Sequence, residues 1–112
     1  MDMGTHAVHL LRALFGPVTE VWATLGNQSG IYREVDDFGI AHLRFASGVL
    51  GTVEAAWTQT GGIGGLEVVG SDKALWNNGK DYVTGEPKVG PSPLAPLQAR
   101  PSSVDRLVAA IL

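Results

Sequence analysis

Around one short glycine turn, side chains on both sides alternate with a period of two, a pattern that an antiparallel hairpin satisfies. Gly39, Ala41, Leu43 and Phe45 share one face of the first strand, opposite Ile40, His42 and Arg44. Ala46-Ser47-Gly48 supplies the turn, with glycine where a positive φ is needed. Val49, Gly51, Val53, Ala55 and Trp57 then line one face of the return, opposite Leu50, Thr52, Glu54, Ala56 and Thr58. The apolar face needs a cover. The second face mixes His42, Arg44, Thr52 and Glu54 with Ile40, Leu50 and Ala56. It suits either solvated cross-strand pairs or a sheet-to-sheet subunit contact.

The natural cover is the first stretch, where Ala7, Val8, Leu11, Leu14 and Phe15 recur at helical spacing before a Gly16-Pro17 stop. Asp2 and His6 are four apart, about 40° around a helix axis, so both lie on one face. His9 falls within about 20° of Asp2. The positive end of the helix dipole disfavours an imidazolium at His6, and a neighbouring carboxylate favours it. Such a balance suits an imidazole that takes and returns a proton near neutral pH. The plainer reading is a capping Asp2 and an ordinary half-exposed histidine. A metal site from Asp2, His6 and His9 is a third, without a fourth ligand or a Glu-containing signature nearby.

The remaining chain adds β elements. Residues 18–25 read as a strand, with Val21, Ala23 and Leu25 opposite Trp22 and Thr24. Residues 26–30 are turn chemistry, and Glu34, Asp36 and Asp37 form an acidic cluster that fits a solvated loop better than a calcium loop. Residues 60–65 are glycine-rich, yet a β-like run follows them where a dinucleotide cradle needs a helix. Residues 66–69 and 74–76 read as strands around a Ser71-Asp72-Lys73 turn, and Asn77-Asn78-Gly79 signals a hairpin to residues 82–84. Five prolines between residues 85 and 101 predict a long irregular loop. A capping pattern at Ser102 or Ser103 opens a last helix, which looks interrupted at Leu112.

Bulk properties narrow the function. At 112 residues the chain is expected to form a single domain, and 45% apolar content makes it globular. A net charge of −3 leaves no basic face for nucleic acid or an anionic membrane. No apolar run is long enough to cross a bilayer, and no signal-peptide plan opens the chain, so the cytoplasm is the default expectation.

Asp2-Met3-Gly4-Thr5-His6, running into a helix that ends Leu14-Phe15-Gly16, resembles the "D-x-G-x-H" segment of the Gfo/Idh/MocA family of NAD(P)-dependent oxidoreductases. Residues 17–23 are similar to the strand that follows it there. Residues 35–48 resemble the family's "D, strand, F-x-x-G" hairpin, and residues 49–57 its return strand. Leu66-Glu67-Val68-Val69-Gly70-Ser71 through Leu75 is similar to "l-E-v-x-G-s-x-G-x-l". The likeness spans roughly residues 2–76.

The resemblance implies an α+β fold: a mainly antiparallel sheet, here of five or six strands, with helices packed on one face. It implies that His6 exchanges a proton with a substrate hydroxyl, that Asp2 supports it, and that hydride passes between substrate carbon and nicotinamide. Where the family often has an acid three residues after the histidine, this chain has His9, a candidate substrate contact. The family's Rossmann domain and catalytic lysine have no counterpart in these residues. Residues 1–112 therefore resemble most of a C-terminal domain cut at both ends, a truncated frame or a stand-alone relic. The expected function is the substrate-side and assembly domain of a dehydrogenase of a sugar, polyol or related hydroxyl compound. NAD or NADP serves the full-length enzyme, none is bound by this chain alone, and no turnover is expected of it. Homo-oligomerisation through the sheet face is expected from the same likeness. The competing reading is a non-catalytic sheet module that dimerises or binds a partner.

Overall fold

The structure, a computed structural model, describes residues 2–58, 64–95 and 108–110, the side chains of Asp2 and Met3 excepted. The chain divides into two compact units, Met1–Gly61 and Gly62–Leu112. Mostly antiparallel β-structure with one long helix gives an α+β fold.

In the first unit, α1 (Asp2–Phe15) leads into β1 (Val18–Gly26), β2 (Phe38–Phe45) and β3 (Leu50–Ala56), ordered β1-β2-β3 with β2 central. The register pairs Val21 with Leu43, and Ala41 with Val53, so these side chains share a face. Helix α1 packs on β3 and covers the β2–β3 part of that face, leaving Val21 on β1 63% exposed. Leu11, Leu43, Phe45 and Val53 are buried there. The stripe on α1 is narrower than its spacing predicts: Leu11 is buried, whereas Leu14 is 53% exposed. Phe15 compensates, its ring 5.6 Å from that of Phe45 at 58°.

The helix stop and the hairpin turn support each other. The Gly16 N–H donates to Arg12 O at 3.0 Å, the Ser47 hydroxyl to Phe15 O at 3.2 Å, and the Ala46 N–H to Pro17 O at 2.9 Å. Gly48 takes the predicted positive φ of 87° while its N–H donates to Phe45 O. A bulge at Thr19 shifts the β1–β2 register, and its hydroxyl donates to Arg44 O at 3.2 Å.

The second unit is a separate sheet, ordered β4 (Val68–Val69), β5 (Ala74–Asn77), β6 (Tyr82–Glu86), β7 (Gly90–Pro93). The predicted strands thus fall into two sheets rather than one. The Asn77-Asn78-Gly79 signal forms the β5–β6 turn, where Asn78 Oδ1 accepts from the Lys80 and Asp81 amides at 3.0 and 2.9 Å. The irregular loop expected over residues 85–101 is corrected in its first part, because β6 and β7 pair from Glu86↔Gly90 to Val83↔Pro93. Pro87 starts a turn in which Lys88 adopts φ of 70° and Val89 N–H donates to Glu86 O. Pro91 and Pro93 are tolerated because β7 is an edge strand, where a missing N–H need not break a ladder. Residues 1, 59–63, 96–107 and 111–112 lie outside the described residues, and with them most of the glycine-rich segment and of the last helix. Residues 108–110 are helical.

Candidate functional site

Helix α1 decides where the proton-handling candidates sit. Its opposite side is anchored by Leu11, so the i, i+4 row from position 2 through His6, Leu10 and Leu14 turns outward. His6 and His9 are both exposed, and Leu10 is 45% exposed. The fold therefore sets the two imidazoles on the accessible side of the helix. Asp2 opens α1 one turn before His6, but its carboxylate lies outside the described residues. Among the described residues, no three His, Asp or Glu side chains are grouped to hold a metal.

A second constellation lies on the face of the sheet turned away from α1. Here the Trp22 and His42 rings stack at 5.2 Å and 26°, as their cross-strand pairing dictates. His42 Nδ1 is 3.1 Å from Thr52 Oγ1 on the next strand. Arg44 Nε donates to Glu20 Oε2 at 3.0 Å, closing an ion pair beside them. Together with Leu50 these residues border a shallow cavity of about 450 Å³. Sequence alternation foresaw the mixed face. The Trp22–His42–Thr52 contact escaped it, because register between β1 and β2 depends on the Thr19 bulge. In the second unit, Lys73, Trp76, Gly85 and Glu86 border a cavity of about 330 Å³, spanned by a Lys73 Nζ–Glu86 Oε1 ion pair of 2.6 Å.

The acidic cluster has a structural task. Asp37 Oδ1 and Oδ2 accept from the Gln28 and Ser29 amides, both at 2.8 Å. Asn27 Nδ2 donates to the carbonyls of Tyr32 and Val35, and Asn27 Oδ1 accepts from the Gly30 amide at 2.8 Å. The Ser29 hydroxyl, then the Gln28 and Ser29 amides, hold the Asp37 carboxyl below the usual carboxylate range. A lowered folded value means that the clamp is fully formed above pH ~4 and lost as pH falls through it. The Gln28 and Ser29 amide NMR shifts are expected to titrate together at a midpoint below that of a free aspartate. In Asp37→Asn both shifts should stay flat across the same range.

A nicotinamide dinucleotide needs a glycine loop leading from a strand into a helix. Among the described residues no strand runs through a glycine loop into a helix, and α1 enters β1 through Gly16-Pro17. No helix among the described residues is long and apolar enough to cross a membrane. No curated protein and no solved structure matches the chain. The GFO/IDH/MocA C-terminal domain, however, matches residues 1–76, which include α1, both histidines on it and the whole three-stranded sheet. That span covers more than half of the 112 residues, and the chain accordingly belongs to the GFO/IDH/MocA family.

Proposed function

We propose that this domain is the substrate-side and assembly part of an NAD(P)-dependent oxidoreductase acting on a sugar, polyol or related hydroxyl compound, with the nicotinamide held by a separate Rossmann domain. The observation that carries the reading is the exposed His6 on a helix whose other face is fixed by Leu11, inside the family-matched span. In this role His6 takes the proton from a substrate hydroxyl and returns it in the reverse direction. Asp2, one turn earlier in sequence, supports it in this role. His9 offers a second polar contact on the same side of the helix. The apolar residues Leu10 and Leu14 beside them give a neighbouring domain something to bury.

The assembly half of the proposal concerns the sheet face turned away from α1. Trp22 and Leu50 are 65% and 69% exposed there. A second copy covering them would remove apolar surface from water, and the Glu20, Arg44 and Glu54 charges allow a self-complementary contact. The same face supports the second reading, a non-catalytic pairing module.

The coding sequence directly upstream of Met1 tests the enzyme reading. An in-frame strand, glycine-loop and helix segment is the expected finding, and an unrelated neighbour would overturn it in favour of the module. Residues 1–112 alone are expected to reduce neither NAD nor NADP with any polyol or sugar; turnover by them would refute the division of labour.

A further inference from the structure

We propose that the second unit carries a binding platform for one neutral polyhydroxylated ring, a hexopyranose or a cyclitol, with the Trp76 indole as floor and the Lys73–Glu86 pair as rim. The proposal draws on this unit alone and stands whether or not the oxidoreductase reading holds.

The floor comes from strand register. Trp76 on β5 is opposite Val83, and Gly85 lies one diagonal step away on β6, opposite Ala74. Positions two apart on a strand point to the same face, so Trp76 and Gly85 share one. A side chain begun at Gly85 would meet Trp76 Cη2 at 2.7 Å and Cζ3 at 3.0 Å. The far end of the indole therefore occupies the space above Gly85, and the ring leans across from β5 to β6. Glycine at position 85 is what leaves room for it. The half-buried indole, with Pro91 on the next strand, borders the cavity of about 330 Å³. That is the small end of the range for ligand pockets, ~300–1,000 Å³, and it suits a single ring.

The rim selects the chemistry. Lys73 Nζ and Glu86 Oε1 are 2.6 Å apart beside this cavity, and both side chains stay exposed, at 64% and 46%. An ammonium carries three donors and a carboxylate about four acceptor sites, so one mutual contact leaves each head with hydrogen bonds to offer. A donor beside an acceptor matches two neighbouring hydroxyls, each of which donates and accepts. Glu86 and Asp72 repel an anion and Lys73 repels a cation, so a neutral ligand is favoured. A saturated polyol ring uses both parts at once: its C–H face lies on the indole and its hydroxyls turn to the ion pair. A flat aromatic ligand would use the floor alone.

Titration of the isotope-labelled chain with methyl glucopyranoside and with myo-inositol tests this by NMR, because the three indole N–H signals report Trp22, Trp57 and Trp76 separately. The Trp76 indole and Gly85 amide signals should shift together and saturate at ~millimolar ligand, the weak affinity of one open face. Trp22 and Trp57 should stay in place. Gly85→Ala pushes the indole off the sheet and should weaken binding at least about fivefold, with the other β5–β6 amide signals retained. Lys73→Met, at an exposed position, should weaken it about tenfold by removing the rim donor. Choline, gluconate and p-cresol at the same concentrations should leave the Trp76 signal unmoved. No saturable shift at Trp76 with either neutral ring, or undiminished affinity in both variants, overturns the platform. Tighter binding of choline, gluconate or p-cresol than of the neutral rings overturns the ligand class.

Discussion

His6→Gln, made in a chain that carries both this domain and its nicotinamide-binding domain, is expected to lower kcat by ~10²–10⁴-fold, the usual worth of a positioned proton acceptor. KM should move little, because the lost interaction strengthens only as the hydroxyl proton is transferred. Folding should be unaffected. His6 is exposed on the side of α1 opposite Leu11, so glutamine there neither opens a cavity nor buries a new polar group. Asp2→Asn is expected to act in the same direction with a smaller effect, since it removes support from the imidazole rather than the imidazole itself. A His6→Gln enzyme with wild-type kcat would remove the proton role and leave the pairing module as the better account.

How much of this was legible in the residues follows from the range of the forces involved. Alternation in β2 and β3 located the buried face, because Leu43, Phe45 and Val53 obey a period of two that local sequence states outright. The Asn78-Gly79 turn was readable for the same reason: its chemistry lies within four residues. What sequence concealed depends on distant partners. Leu14 fits the apolar stripe of α1, yet it stays 53% exposed, which local spacing alone does not reveal. Proline content argued against β7, yet an edge position removes the penalty, and edge or centre is a property of topology. Asp37 resembled one more solvated acid until Gln28 and Ser29, nine and eight residues away, brought their amides to it. For the candidate site, the spacing of His6 and His9 gave the helix face correctly, whereas His42 acquired its surroundings only through strand register.

The largest loss of stability is expected from Phe45→Ala. Phe45 is 1% exposed, and removing its ring empties the space between α1 and the sheet. Buried Phe→Ala changes cost ~3–5 kcal/mol, against the ~5–15 kcal/mol that holds a typical domain together. The first unit has little to offset this, since its buried hydrophobic side chains among those described are Leu11, Leu43, Phe45 and Val53. The site also fits its neighbours closely. A side chain begun at Gly51 would come within 3.3 Å of Phe45 Cε2 and 3.8 Å of Leu11 Cδ1, so glycine there lets the ring and the helix lie against β3. Thermal unfolding followed by far-UV circular dichroism should show the first unit's transition lowered by tens of degrees, at ~4–8 °C per kcal/mol for a unit of this size. Leu50→Ala, on the exposed face, should cost no more than ~0.5 kcal/mol. Equal effects from the two variants would mean that α1 does not rest on Phe45. That contact matters beyond stability, because the helix seated on Phe45 is the one that holds His6 and His9 outward. In the complete enzyme Phe45→Ala should therefore lose turnover together with structure, whereas His6→Gln loses turnover alone, and the contrast separates the platform from the proton carrier it supports.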